Sequence, residues 1–365
     1  MSFSPHLRSV RSRRRRGIAA VCALGLGFTL AAGPATGAAA ERTAAPALPA
    51  SFEWTSSEVL VSPKPDAAHP IVSIKDPSIV RHRDRWHVFA TTANTAGDWS
   101  LAYLNFSDWS QAAAAPQHFL DQTAIGTGYR AAPQVFYFAP QKKWYLVYQT
   151  GLPSYSTTRD ISRPETWSAP KNFQETMPRI IADNIGDGFW LDFWVVCDKV
   201  NCYLFSSDDN GHLYRAQTTV KDFPNGFSKT VIVMADPNRF NLFEAANIYK
   251  IKGTNTYLLL IEAFDANGRR FFRSWTADGI DGDWTALADT QENPFARSTN
   301  VTFPQGTWTQ DISHGEMIRA GIDQTLTIDP CHLQYLYQGM DPSAGGEYSQ
   351  LPWRLGLLTQ TNSTC

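Results

Sequence analysis

The same pattern recurs five times along this chain. An aromatic side chain opens a run of strand formers, and a turn-rich stretch follows. A second strand-like run comes next, and an aromatic corner usually closes the unit. The runs begin at Trp86, Trp144, Tyr203, Tyr257 and Tyr335, at intervals of 58, 59, 54 and 78 residues. Units of that length, rich in strands and turns, are the signature of propeller blades, because radial repetition buries many short sheets around one axis. The expectation is therefore an all-β chain folded as a five-bladed β-propeller.

The start of the chain reads differently. Arg8, Arg11 and the run Arg13 to Arg16 form a basic head, Gly17 to Leu30 is largely apolar, and Ala38 to Ala40 offers small residues for cleavage. That order predicts a secretory signal peptide over 1–40, with an Ala/Pro-rich flexible leader over 41–51 and one propeller domain over 52–365. Removing six arginines and no acid leaves 26 basic against 34 acidic residues, a net charge of −8. A mildly acidic exported chain is a poor partner for nucleic acid, which wants clustered Lys and Arg. No apolar run reaches the ~20 residues needed to span a bilayer, so no membrane partner is expected. The expected state is an extracellular monomer.

Cysteine use agrees with export. Cys22 lies in the signal segment, which leaves Cys197, Cys202, Cys331 and Cys365. An even number in an exported protein favours disulfides. Cys197 with Cys202 would clip a hairpin, and Cys331 with Cys365 would pin the C-terminal tail.

Turns fall where the repeat requires them. Asp208 to Gly211 and Asp265 to Gly268 both carry Asn-Gly between strand-like runs, a strong hairpin signal. The acids of the first turn read as turn residues rather than as a calcium loop. Helix signals are limited to short turns near Gln111 to Ala115 and Arg179 to Ile185. Topology predicts that Trp54 to Leu60 joins the last blade, near Trp353 to Thr359, and closes the ring.

Three acids open or line successive repeats. Asp76 precedes Pro77 and a strand, Asp192 lies inside the aromatic run Gly188 to Val196, and Glu244 precedes the strand from Ile248. Singly, each also reads as a turn, a cap or a surface acid. An Asp within an apolar strand needs a partner or a cavity, and apolar surroundings raise a carboxyl toward the range a general acid uses. Inner strands of a propeller start around one axial funnel, so the three acids should converge. Two carboxyls flanking a glycosidic bond suffice to hydrolyse it.

Longer motifs carry a resemblance. Ser73 to Pro77, Ala90 to Thr95, Gly128 to Pro140, Phe205 to Tyr214, Phe243 to Ala245, Asp311 to Arg319 and Tyr335 to Met340 are similar to family 62 glycoside hydrolases. The likeness runs from about Phe52 to Thr361. These are exported α-L-arabinofuranosidases that remove arabinose branches from arabinoxylan by inversion. The resemblance implies Asp76 as general base, Glu244 as general acid and Asp192 as the acid that tunes Glu244 and holds the sugar. It also implies a structural or electrostatic calcium ion (Ca2+) on His314 and Gln338, although His is an unusual ligand for so hard a cation. Lys75, Trp99, Arg130, Gln149, Arg319, Tyr337 and Tyr348 are the expected contacts to arabinoxylan and its oligosaccharides. A related family 43 propeller glycosidase is the alternative enzyme, and a non-catalytic carbohydrate-binding propeller the alternative of another class. The polar residues gather at one axis instead of repeating in every blade, which favours catalysis.

Overall fold

Five four- or five-stranded sheets stand around a common axis in the computed structural model, which describes residues 48–365. The expected signal peptide lies outside the described residues. Three sheets are simple meanders in chain order, and a fourth is a meander with one later strand added beside its first. In these the innermost strands are Ile71–His82, Ala131–Phe138, Leu191–Cys197 and Glu244–Ile251. The fifth blade starts with Ser313–Met317 and continues through Gln334–Gly339 and Arg354–Gln360. The expected architecture is the one observed.

The aromatic runs of the repeat are the second strands of their blades: Arg85–Asn94, Lys143–Gln149, Asn201–Ser207, Tyr257–Phe264 and Gln334–Gly339. Their aromatic residues alternate between the two faces of each sheet and are buried on both. Trp144, Tyr145 and Tyr148 are each at most 2% exposed, because the blade on either side covers a face. That double burial explains why these strands read as near-continuous hydrophobic runs, and each blade begins one strand earlier than its strongest signal. The long final interval has a local cause. Between the inner and second strands of the fifth blade the chain makes an excursion whose short strand Thr327–Ile328 pairs in parallel with Glu244–Ile251 of the fourth. The Asn-Gly turns join strands as expected, and the only α-helix among the described residues is Arg179–Ala182.

The ring closes through the N-terminal segment. Trp54–Ser56 pairs antiparallel with the last strand, Trp54 opposite Gln360 and Ser56 opposite Leu358. Ser57 and Leu60 extend the pairing to Leu357 and Leu355. Trp54 is buried, and its indole N–H donates to the Phe295 carbonyl at 2.6 Å. Residues 48–51, expected as the end of a flexible leader, are tied to the propeller instead. Leu48 packs on the core, and Asn293 and Asn362 donate to the carbonyls of Ala50 and Ser51. Disulfides join Cys197 to Cys202 and Cys331 to Cys365, as the spacing anticipated. The second holds the tail beside the closing strand. Trp54→Ala should therefore destabilise the protein by about 3–5 kcal/mol, read as a lower denaturation midpoint, because it empties a filled site at the ring's closure.

Candidate active site

Every inner strand breaks its register at the same level. The shifts fall between Lys75 and Ser78, Ala131 and Gln134, Leu191 and Trp194, Glu244 and Asn247, and Ser313 and Gly315. In four of them one residue takes a left-handed backbone: Asp76 (φ 48°), Ala132 (49°), Asp192 (54°) and Ala245 (56°). A bulge re-aims a side chain that the regular pleat would send into a sheet face. For a non-glycine residue this conformation carries strain and persists only where surrounding contacts impose it.

Side chains from neighbouring strands supply those contacts. Gln338 Oε1 accepts from the Asp76 amide (2.6 Å), Thr91 Oγ1 from Ala132 (2.8 Å), Gln149 Oε1 from Asp192 (2.9 Å) and Glu262 Oε2 from His314 (2.7 Å). These four occupy one equivalent place. They are the register partners of Ser313, Lys75, Ala131 and Glu244, in the second strands of the fifth, first, second and fourth blades. The Ala245 amide is the exception and donates to Asp192 Oδ2 at 2.8 Å. One candidate acid thus fixes the backbone beside another.

The bulges open on a cleft of ≈ 1160 Å³. Asp76, Asp192, Glu244, His314, Lys75, Trp99, Gln149 and Tyr348 all line it, so the expected convergence occurs. His314 Nδ1 lies 3.6 Å from Asp76 Oδ1 and 3.6 Å from Asp192 Oδ2, between the two carboxyls. Lys75 Nζ is 3.8 Å from Asp76 Oδ1 and donates to the Tyr348 hydroxyl at 3.1 Å. It is held 3.9 Å from the Trp99 ring centre and 4.6 Å from that of Tyr348. Burial would favour the neutral amine, but Asp76, Tyr348 and Glu244 outweigh it and hold the Lys75 pKa above its ordinary value.

Three expected contacts and one expected metal ligand lie elsewhere. Tyr337 is buried, and its hydroxyl meets Ser56 Oγ at 2.8 Å, clamping the closing strand. Arg319 lies beneath the inner strands, donating to the Ile79 and Val135 carbonyls at 2.8 Å and pairing with Glu316 at 2.8 Å. Arg130 turns back onto the carbonyls of Tyr129 and Ile125. Gln338 spends both ends of its amide on protein, Oε1 on Asp76 and Nε2 on Ser313 Oγ at 2.9 Å. Motif position identified these residues without showing which way they face. Gln149 does line the cleft, yet it too is engaged at both ends, by Asp192 and the Tyr129 hydroxyl.

The metal expectation meets the same geometry. Among the described residues, no group of three His, Cys, Asp or Glu side chains could hold an ion. With Gln338 committed, these side chains do not make the oxygen-rich cage that calcium prefers. Only His314 of the expected pair lines the cleft.

Several cleft residues escaped the sequence reading. Arg270 Nη1 donates to both Glu244 Oε1 and Glu262 Oε1, and its guanidinium lies 4.8 Å from the Phe264 ring centre. Its only signal was a charged residue opening an aromatic strand. Tyr129 and Phe189 present exposed rings at the mouth, and Asp209 enters from the Asn-Gly turn.

The acids share one electrostatic environment. Burial, then the charges of Glu244 and Asp76, push Asp192 well above the usual carboxylate range. Burial, then Glu244 and Asp192, push Asp209 up to about 9. Glu262 is pushed up to about 7 by burial, with Arg270 pulling it down and Glu244 pushing it up. Such crowding of perturbed carboxyls in a cleft marks a catalytic site.

A five-bladed propeller with converging carboxyls at one axial mouth defines a class, the propeller glycoside hydrolases. Residues 53–359 match Glycosyl hydrolase family 62, and the chain belongs to that family. Alpha-L-arabinofuranosidase C of Cellvibrio japonicus (strain Ueda107) is 47% identical over 315 residues, which are 85% of this chain and 47% of that protein. The chain thus spans about half the length of that curated relative. Among solved structures, the catalytic domain of the Coprinopsis cinerea GH62 alpha-L-arabinofuranosidase is 61% identical with a TM-score of 0.86, covering 87% of this chain and 100% of its own. Podospora anserina PaAbf62A, an alpha-L-arabinofuranosidase solved with cellotriose, is 55% identical with a TM-score of 0.85, covering 87% and 99%. A family 43 glycoside hydrolase at 13% identity and a TM-score of 0.53 shares the fold alone.

The raised carboxyls have a consequence for stability. An unfolded carboxyl loses its proton near pH ~4, whereas folded Glu262 and Asp209 keep theirs to about 7 and about 9. The folded state then binds more protons across this window, so raising the pH favours unfolding. Thermal denaturation midpoints should fall as pH rises from about 5 to 9, and Asp209→Asn should flatten the upper half of that decline.

Proposed function

We propose that this chain is an exported, inverting α-L-arabinofuranosidase that removes arabinosyl side chains from arabinoxylan. The observation that carries the proposal is the placement of Asp76 and Glu244, from the first and fourth blades, in one cleft with Asp192 and His314. The relatives named above supply the activity, and the sugar ligand of PaAbf62A supports a β-linked chain lying across the mouth. A related GH62 hydrolase, 54% identical with a TM-score of 0.83, was solved with xylotriose. The exposed rings of Tyr129, Phe189 and Tyr348 fit such a chain, because pyranose faces stack on aromatic surfaces.

In this reading the arabinosyl unit enters the funnel beside Lys75. Asp76 takes a proton from water as that water attacks the anomeric carbon. Glu244 protonates the oxygen that leaves with the xylan, and the products are arabinose and a xylan hydroxyl. Asp192 holds the backbone after Glu244 by accepting from the Ala245 amide, and burial beside the charges of Glu244 and Asp76 raises its pKa. Arg270 fixes Glu244 on its Oε1 side.

Export is supported by the two disulfides and by the basic-then-apolar N-terminus. Among the described residues no helix is long and apolar enough to cross a membrane. Calcium enters only as a hydrated ion against His314, with a structural role. It should raise the denaturation midpoint of chelator-treated protein and do nothing for His314→Ala. A midpoint independent of calcium in both proteins would remove the ion from the proposal.

Asp76→Asn and Glu244→Gln should each lower turnover on arabinoxylan by about 10²–10⁴-fold while leaving the fold intact. NMR of the first product formed by the unaltered protein should show the β-anomer of arabinose. Release of xylose, or α-arabinose appearing first, would defeat the assignment.

A further inference from the structure

Glu262 lies in the second strand of the fourth blade, directly across the ladder from Glu244. It is fully buried, in a strand whose other residues are aromatic or aliphatic. A carboxyl so placed is costly unless donors meet its oxygens. Three groups do so. Oε1 accepts from Arg270 Nη1 and from Ser313 Oγ (3.1 Å). Oε2 accepts from Ser313 Oγ (3.1 Å) and from the His314 amide (2.7 Å). The amide is one of the captured bulges, whereas Arg270 and Ser313 lead away in opposite directions.

On one side, the Arg270 nitrogen that donates to Glu262 also donates to Glu244 Oε1. On the other, Ser313 Oγ accepts from Gln338 Nε2 at 2.9 Å, and Gln338 Oε1 accepts from the Asp76 amide at 2.6 Å. A continuous path thus runs from Glu244 through Arg270, Glu262, Ser313 and Gln338 to Asp76. Its directions agree throughout. Arg270 only donates, the Glu262 carboxylate only accepts, and the Ser313 hydroxyl and Gln338 amide each do both. Glu262, Ser313 and Gln338 are at most 1% exposed, so they do not reach a substrate. The path takes the short way round the ring, from the fourth blade through the fifth to the first.

We propose that Glu262 is a positioning residue, the midpoint of a buried hydrogen-bond chain that sets Glu244 relative to Asp76 across three blades. This rests on the reading of those two carboxyls as general acid and general base. Inversion needs both at once, on opposite sides of one anomeric carbon, so displacing either slows the same step.

Two substitutions cut the chain on either side of its midpoint. In Glu262→Gln the side-chain oxygen stays on Ser313 and the His314 amide, while an NH2 faces Arg270 and breaks the link to Glu244. Ser313→Ala leaves Arg270 on Glu262 and breaks the link to Gln338 and Asp76. Burial pushes Glu262 up to about 7, so rates are compared above that pH, where both its oxygens accept. The substrates are arabinoxylan, whose leaving oxygen needs a proton, and a dinitrophenyl arabinofuranoside, whose leaving group does not. Glu262→Gln should lower kcat on arabinoxylan by about 10–10²-fold with KM little changed, and lower it far less on the aryl substrate. Ser313→Ala should lower kcat by about 10-fold on both alike, because both need the base. An equal loss on the two substrates in Glu262→Gln, a Ser313→Ala loss confined to arabinoxylan, or no loss in either variant overturns the proposal. Should Glu262→Gln not fold, Ser313→Ala decides alone. Glu244→Gln is the control and should lose arabinoxylan while keeping the aryl substrate. If it loses both alike or neither, the reading of the acid fails and the chain loses its role with it. If it behaves as expected and Glu262→Gln does not follow it, the positioning chain alone fails.

Discussion

The site depends on one repeated interaction, the capture of a bulged backbone amide by a polar side chain from the second strand of a neighbouring blade. Thr91, Gln149, Glu262 and Gln338 perform it for Ala132, Asp192, His314 and Asp76. Each bond satisfies a buried donor that the broken ladder would otherwise leave unpaired, a loss of about 1–3 kcal/mol apiece. Each also joins one blade to the next at the level of the active site. The bulge turns the side chain toward the axis, and the captured amide keeps it there. Where the bulged residue is Ala132 this is architecture alone. Where it is Asp76, Asp192 or His314, the same device presents chemistry.

Asp192 departs from the scheme in an informative way. The third blade offers Ser207 at the equivalent register, opposite Leu191, and the Ala245 amide is bonded by the Asp192 carboxylate instead. A carboxyl aimed into the cleft therefore also holds the backbone next to Glu244, so the positions of the two acids are coupled. Around them the charge is balanced locally. Arg270 bridges Glu244 and Glu262, and Lys75 sits between Trp99 and Tyr348 beside Asp76. The aromatic faces favour the cations, and the cations offset some of the repulsion among the acids. Burial, together with the neighbouring acids, raises the pKa of Asp192 and Asp209.

Much of this was legible in the order of residues. The five aromatic runs mark second strands because both faces of those strands are covered, which forces a hydrophobic residue at nearly every position. Asn-Gly marks the hairpins because few other pairs accept the backbone these turns need. Asp76, Asp192 and Glu244 stood out as acids beside or within apolar strands, where an unpaired charge is costly. Tyr337 and Arg319 stood out equally by motif, yet one clamps the closing strand and the other binds backbone carbonyls under the site. Alternation along a strand tells which residues share a face, but a bulge reverses that count locally and leaves little trace in composition.

Blade number, the closing strand, both disulfides and the convergence of three acids follow from the order of residues, because each depends on spacing or on residue type. Packing between blades sets which polar residues face the cleft and which are consumed in building it. Gln338 and Gln149 look identical to substrate ligands until their amides are seen bonded to neighbouring blades. Asp208 and Asp209 are chemically alike and adjacent, and only the fold separates the one that holds a turn from the one that lines the cleft. Arg270 gains its place by packing, 26 residues along the chain from the acid it contacts. Spacing is carried by the chain, whereas side-chain direction and charge state depend on neighbours brought close only by folding.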